Sequence, residues 1–294
     1  MAKVAVSQTS FTSGELDPRL VARHDYEGYY KGAETLTNVV CLGQGGVTRR
    51  GGMKYIDTLT DTAIRYVTFE FNVTQTYLLV FANTKMYVYK DGVKQTSLNG
   101  TNNDYISTPW NATQIKEMSF TQSADTLIIC HNAHAPRSIV RGGSHATWTL
   151  STIAFSYYPT FDFNQDYDGN TFSIGSGWDA VDGDVTITIN GTGNGSRCTA
   201  EHVGGMFEGN GGVIRIESRT NNATFTGKLI KEFVTQTTLD GVDVSLEEPV
   251  WSAAHGFPNA VTFHESRLWF GNSTLRPQTL WASVIGEFFN FDRG

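Results

Sequence analysis

Two groups of aspartates are the residues of this sequence best suited, by type and spacing, to acid–base chemistry. The groups are Asp162, Asp166 and Asp168, and Asp179, Asp182 and Asp184. Hydrolysis of a glycoside needs a pair of carboxyl groups placed across the sugar. Both groups lie in segments rich in Gly and Asn, where Asp commonly forms turns. The turn interpretation is favoured, and no catalytic residue is predicted.

Metal-ligating residue types are present, but their spacing matches no recognised motif. Residues 166–170 are similar to part of a calcium-binding loop, although the full spacing and its terminal Glu are absent. His131 and His134 are three residues apart, and His264 precedes Glu265, but neither pair belongs to an HExxH motif. A structural cation stays open as a minor alternative, and no metal-binding residue is predicted.

Motifs for nucleophilic catalysis and dinucleotide binding are missing as well. The sequence has no GxSxG motif, and the glycine-rich segments near Gly191 and Gly209 have no βαβ context. Cys41, Cys130 and Cys198 contain no CxxC pair, so neither a disulfide framework nor a zinc site is indicated. Cys130 lies in an apolar run and is predicted to be a small buried hydrophobe. The sequence therefore predicts a protein that is not an enzyme and has no cofactor.

Composition predicts a folded protein that does not bind nucleic acid tightly. The 294 residues are 39% hydrophobic and 12% aromatic, and the net charge is −7. Phosphate contacts need clustered Lys and Arg, which this acidic chain lacks overall. The N-terminus has no apolar h-region, and no apolar stretch approaches the ~18 residues of a membrane span. Folding in a cytoplasm is expected.

A repeated strand pattern organises the chain. Residues 64–69, 76–81 and 86–92 form a first unit, and residues 115–141 repeat it with an offset of about fifty residues. Residues 260–263, 267–271 and 277–281 repeat it again. Such a period is typical of propeller blades, although three blades cannot close a propeller. Either more chain follows in the natural protein, or neighbouring subunits complete the structure.

The predicted fold class is all-β, a partial β-propeller with an inserted small β domain and an N-terminal strap carrying a short helix. Residues 1–60 form the strap, 61–156 blades 1 and 2, 157–249 the inserted domain and 250–294 the return to a blade. The helix is predicted from Tyr26 to about Leu36, with Asp25 as its N-cap. Arg49 and Arg50 stand between glycine hinges, where a solvated position is favoured over anion binding.

Aromatic residues are expected to fill the gaps between blades. Pro109 and Trp110 are predicted to form a wedge between the first two blades. Trp148, Trp251, Trp269 and Trp281 could form a sugar-binding platform, but packing between blades is favoured for large aromatics in such strands.

Several long motifs resemble one protein family. They are FTSGELDPRL, HDYEGYYKGAETLTNVV, GGVTRRGG, QSADTLIICHNAHAPRSIVR, GFPNAVTFHESRLWFG and RPQTLWASVIGEFFNF. In this order, they are similar to motifs of podophage tail nozzle proteins, the tail tubular protein B family. The resemblance extends over nearly the whole chain. Nozzle proteins are usually much longer, so this chain is expected to be an N-terminal part or a short version.

The resemblance implies a structural virion protein of a bacteriophage tail. It implies a homohexameric ring of β-propellers that contacts the tail adaptor protein and a tail fibre protein. DNA ejection would pass through the ring without tight binding of genomic DNA, and no small-molecule substrate is implied. Localisation in the virion, after assembly in the host bacterial cytoplasm, is expected. The alternatives are a propeller that binds or degrades a host-surface glycan, and a tail-fibre hub.

Overall fold

The computed structural model describes residues 7–61, 64–163, 167–191 and 198–292. Its regular structure is nearly all β, as the sequence predicts. Contacts divide the chain into two compact units, Met1–Asp57 and Thr58–Gly294. Among the described residues, no helix combines the length and the apolar character needed to cross a membrane.

The first unit contains short strands and turns. Strands Gly14–Glu15 and Gly32–Ala33 pair in parallel, and strands Val39–Cys41 and Val47–Arg49 form an antiparallel hairpin. The only helical segments among its described residues are the 3-10 turns Pro18–Leu20 and Tyr29–Lys31.

The helix predicted from Tyr26 to Leu36 is wrong. Asp25 does not cap a helix, because its carboxylate is bound by the guanidinium of Arg23 at 2.6 Å. The predicted segment is also interrupted where Gly32–Ala33 becomes extended and pairs with another strand. Pairing to a distant segment therefore overrides the local helical preference.

In the second unit, three antiparallel meanders occupy the positions of the sequence repeat. The first meander comprises Arg65–Asn72, Gln75–Ala82, Lys85–Lys90 and Val93–Lys94, with Ile106–Ser107 also paired to Lys85–Lys90. The second comprises Ser119–Ser123, Thr126–His131, His134–Arg141 and Trp148–Thr152, preceded by the helix Gln114–Glu117. The third comprises Ala260–His264, Arg267–Gly271 and Leu280–Ala282. The arrangement is propeller-like but partial.

Local turn chemistry accounts for the tightest hairpin of the first meander. Lys90 and Val93 pair across the turn, and Asp91 and Gly92 have φ values of 51° and 76°. Asp-Gly suits such a turn because both central positions need positive φ. Asp91 and Gly92 therefore form the turn of this hairpin.

Aromatic side chains pack between neighbouring meanders, as predicted for several of them. Trp148 packs edge-on against Phe69 and Tyr77 between the first two meanders, with ring centroids 5.0 and 5.1 Å apart. Trp110 is fully buried in the same core, near Phe81. The buried residues of the core between the second and third meanders are Ile128, Cys130, Ile153, Val250, Trp251, Leu268, Phe270 and Phe291.

Seven strands of the inserted segment form a nearly closed, barrel-like sheet. In spatial order they are Thr238–Asp240, Asn170–Ile174, Asp184–Gly191, Thr224–Lys231, Gly212–Asn221, Met206–Gly209 and Val244–Leu246. The first and last of these are separated in sequence only by the 3-10 turn Gly241–Asp243. A glycine is needed at Gly227, because a Cβ atom there would lie 2.1 Å from the carbonyl oxygen of Arg215.

A two-stranded sheet marks the point where the chain enters and leaves the seven-stranded sheet. Strands Thr160–Phe161 and Glu248–Pro249 pair there in antiparallel fashion. The 3-10 turn Ala200–His202 lies close to the second of these strands. We call this place the junction. The remaining 3-10 turn, Leu98–Gly100, belongs to the first meander region.

Candidate functional site

A cluster of buried titratable side chains lies at the junction. It comprises Tyr167, His202, Glu248 and His255, which we call the junction cluster. His202 is 0% exposed and Glu248 is 4% exposed. The Glu248 carboxylate lies between the two histidines, with Oε1 at 3.4 Å from His202 Nε2 and Oε2 at 3.2 Å from His255 Nε2. Buried charges are costly unless paired, so this carboxylate depends on both rings.

The backbone of the Ala200–His202 turn fixes the orientation of the His202 ring. The N–H of Thr199 donates to Nδ1 at 3.0 Å, and the Thr199 hydroxyl lies 2.9 Å from the same atom. Because Nδ1 accepts a hydrogen bond, the neutral ring carries its proton on Nε2, which faces Glu248 and the Tyr167 hydroxyl. Burial lowers the pKa of His202 to about 4, so the ring is neutral at pH 7.

His255 meets a different environment on the other side of the carboxylate. Its Nε2 faces Glu248, and its Nδ1 lies 3.3 Å from the carbonyl oxygen of Pro249. Both of these partners are hydrogen-bond acceptors. Phe163 stacks on the ring with a centroid distance of 3.9 Å. The two histidines therefore have different roles around one carboxylate.

Further acidic side chains surround the junction cluster. The Thr160 hydroxyl donates to the carboxylate of Glu247, and the Ser245 hydroxyl donates to Asp162 at 3.4 Å. Burial, followed by the negative charges of Glu248 and Asp162, raises the pKa of Tyr167 far above its usual range. The Tyr167 hydroxyl is therefore neutral at pH 7, and it lies 3.2 Å from His202 Nε2.

The junction cluster links segments that are far apart in the sequence. Glu248, on the strand Glu248–Pro249, lies between His202 of the Ala200–His202 turn and His255, which follows that strand. No group of three or more His, Cys, Asp or Glu within the described ranges is arranged to hold a metal ion. What the arrangement can do is couple protonation to the packing of the junction, since His202 must be neutral where it lies.

The members of the two aspartate groups noted in the sequence have different surroundings in the structure. Asp162 adjoins the junction cluster, whereas Asp166 lies outside the described residues. Asp168 precedes Gly169 in a turn, and Asp182 has a positive φ of 63° in another. Asp184 is exposed and pairs with Lys228 at 2.6 Å. Asp168 and Asp182 agree with the turn interpretation, whereas Asp184 begins the strand Asp184–Gly191. Asp179 is also exposed.

The histidines of the two pairs noted in the sequence each lie close to a hydrogen-bonding or ion-pair partner. His131 accepts from the N–H of Ala133 at 3.0 Å, and its Nε2 lies 3.6 Å from Glu117. His134 Nε2 lies 3.1 Å from the amide oxygen of Gln114. Burial lowers the pKa of both rings. His264 and Glu265 are exposed and form an ion pair of 3.6 Å on the protein surface when the ring is protonated.

The tryptophans and cysteines agree only in part with their predictions. Trp148 and Trp251 are buried between meanders, while Trp269 and Trp281 are half-buried. Cys130 is fully buried, as predicted, and burial raises the pKa of its thiol well above the usual value. All three cysteines are free thiols.

Sequence analysis missed the junction cluster. His202, Glu248 and His255 are scattered along the chain and match no motif. One usable signal was Glu247-Glu248, two acidic residues between Leu246 and Pro249 in a short apolar stretch. Adjacent carboxylates leading into an apolar strand indicate buried acids that need partners.

No protein-family model matches this chain, and a comparison with curated proteins finds no match.

Proposed function

We propose that the chain is a non-enzymatic structural component of a short-tailed bacteriophage tail. In this proposal, copies form the ring-shaped nozzle that encloses the DNA ejection channel below the adaptor and helps to attach tail fibres. The observation that carries the proposal is the series of motifs from residue 11 to residue 291, in one order along the chain. The three meanders support it, because a propeller-like body is what the resemblance implies.

The unit Met1–Asp57 supports a role in assembly. Within residues 7–57 no hydrophobic side chain is buried. Its exposed large apolar side chains are Val21, Tyr26, Tyr30, Val40, Leu42, Val47, Met53, Tyr55 and Ile56. A segment with so little apolar burial gains little stability from its own contacts, and large exposed apolar patches mark interaction sites. Contacts with the adaptor and with neighbouring copies are the role proposed for this unit.

The edge of the third meander offers a second surface for assembly. Leu280 lies on its last strand and is exposed, as are Leu275 and Ile285 on either side. An open sheet edge with exposed apolar residues is a template for pairing with another chain. A ring needs such head-to-tail contacts between copies.

The net charge of −7 suits a conduit that DNA passes without adhering to it. We propose that the channel wall of the assembled ring is acidic and repels phosphates. A channel lined mainly by Lys and Arg in an assembled ring would contradict this part of the proposal.

Electron cryo-microscopy tests the proposed function directly. The purified chain and intact virions that contain it would be classified for symmetry and position. A six-fold ring with an open axial channel, located below the adaptor, is the expected result. A monomer with no density on the tail axis would contradict it. Depolymerisation of host polysaccharide by the purified chain would instead support the glycan-degrading alternative.

A further inference from the structure

A small aromatic pocket lies beside the junction cluster in the unit Thr58–Gly294. The cavity has a volume of about 220 Å³. Its aromatic walls are Phe155, Tyr158, Trp251 and Phe257, and Glu201 contributes a carboxylate. The volume is below the ~300–1,000 Å³ of typical small-molecule sites, so it suits a single large side chain.

Three polar groups of this pocket have no hydrogen-bond partner within the described part of the chain. The indole N–H of Trp251 is buried and has no acceptor, and Trp251 is only 3% exposed. The Tyr158 hydroxyl and the half-buried Glu201 carboxylate also make no hydrogen bond or ion pair with described residues. A buried donor without a partner is costly, so an acceptor from a bound group would stabilise this site.

The residues that line the pocket favour binding of a cationic side chain that belongs to a peptide. Aromatic faces attract cations, and a planar guanidinium both stacks on such faces and pairs with a carboxylate. Glu201 provides that carboxylate at the pocket. The Trp251 N–H needs an acceptor, which a peptide carbonyl beside the cation would supply. An arginine within an extended segment satisfies both requirements.

This chain contains such a segment. Residues 36–56 include three basic residues and no acidic residue. Arg49 and Arg50 are exposed, and neither makes an ion pair with a described residue. Gly46, Gly51 and Gly52 flank them, which lets the backbone approach a surface closely.

We propose that the pocket binds an arginine of residues 46–54 from a second copy of this chain. The inference rests on the proposed assembly of copies and names a contact within it. Arg49 or Arg50 enters between the aromatic rings and pairs with Glu201, and a carbonyl of the same segment accepts from Trp251. Glu201 is the residue that selects the cation.

A peptide titration tests the pocket. The protein is the full chain carrying R49Q and R50Q, so that its own segment does not compete. The probe is a fluorescent peptide of residues 46–54, GVTRRGGMK, followed by anisotropy. Saturable binding is expected, with affinity reduced about tenfold or more by E201Q. The matched control is E208Q, which neutralises an exposed carboxylate of the neighbouring sheet and should leave the affinity unchanged.

Two further peptides decide what the pocket recognises. A peptide with both arginines replaced by Gln should not bind, and equal binding of it would overturn the proposal. A scrambled peptide of the same composition should bind more weakly, because the carbonyl position is lost. Equal affinity for the scrambled peptide would overturn the second copy as the source of the arginine.

The outcomes separate this inference from the proposed function. A six-fold ring in virions together with absent peptide binding would refute only the pocket assignment. Peptide binding that depends on Glu201, from a chain that is absent from the tail axis, would refute only the nozzle role.

Discussion

Acidification from pH 7.5 to pH 5 should destabilise this protein through His202. Burial holds the pKa of His202 at about 4 in the folded protein, whereas an unfolded histidine has a pKa of about 6.5. Between these values the unfolded chain binds a proton that the folded chain does not. The free energy of unfolding therefore falls as the pH decreases from about 6.5 towards 4.

The size of this effect follows from the two pKa values. From pH 7.5 to pH 5 the histidine should remove about 2 kcal/mol from the free energy of unfolding, and about 3 kcal/mol once pH 4 is passed. The interval from pH 7.5 to pH 5 is the better one to measure, because carboxyl groups of an unfolded chain have pKa values of about 4 and take up protons mainly at lower pH. Besides burial, the hydrogen bond that the Thr199 N–H donates to His202 Nδ1 opposes protonation of that nitrogen.

Urea unfolding at pH 7.5 and pH 5 is the assay, with His202→Asn as the matched variant. The Asn side chain has an oxygen that can accept from Thr199 but does not titrate. The wild type should lose about 2 kcal/mol more than the variant over this interval. Equal losses would refute the reasoning. NMR titration of the His202 ring in the wild type is a second measurement, and a pKa near 6.5 would refute it independently.

Three other substitutions should separate packing from surface charge. Gly227→Ala should prevent correct pairing of two central strands, because the new Cβ would lie 2.1 Å from the Arg215 carbonyl oxygen; a wild-type melting temperature would contradict this. Trp148→Ala should cost about 3–5 kcal/mol of the free energy of unfolding, since a fully buried ring is removed between two meanders; a loss below 1 kcal/mol by urea titration would contradict it. Asp184→Asn should leave the melting temperature unchanged, because its ion pair with Lys228 is exposed; a clear drop would contradict this.

The strand pattern could be predicted because its causes are local. Turn residues such as Asp91-Gly92 specify a hairpin by their own backbone preferences. The continuous apolar run at residues 77–81 then indicates which strand is buried on both faces. The same features recur about fifty residues later, so the second meander could be predicted from the first.

The helix from Tyr26 to Leu36 failed for the opposite reason. Its residues have acceptable helical propensity, but propensity is a weak signal when another segment offers strand pairing. Gly32 and Ala33 pair with Gly14 and Glu15, which are far away in sequence. No local feature of the helix candidate encodes that partner.

The amino-acid sequence by itself determined the strands, the hairpin turns, the repeat and the apolar residues that fill the spaces between meanders. These depend on periodicity and on backbone preferences over a few residues. Only the tertiary structure decided the junction cluster and the aromatic pocket. His202, Glu248 and His255 meet because the seven-stranded sheet nearly closes and returns the chain beside its point of entry. Contacts between distant segments need the whole fold, and so does the burial that lowers the pKa of His202.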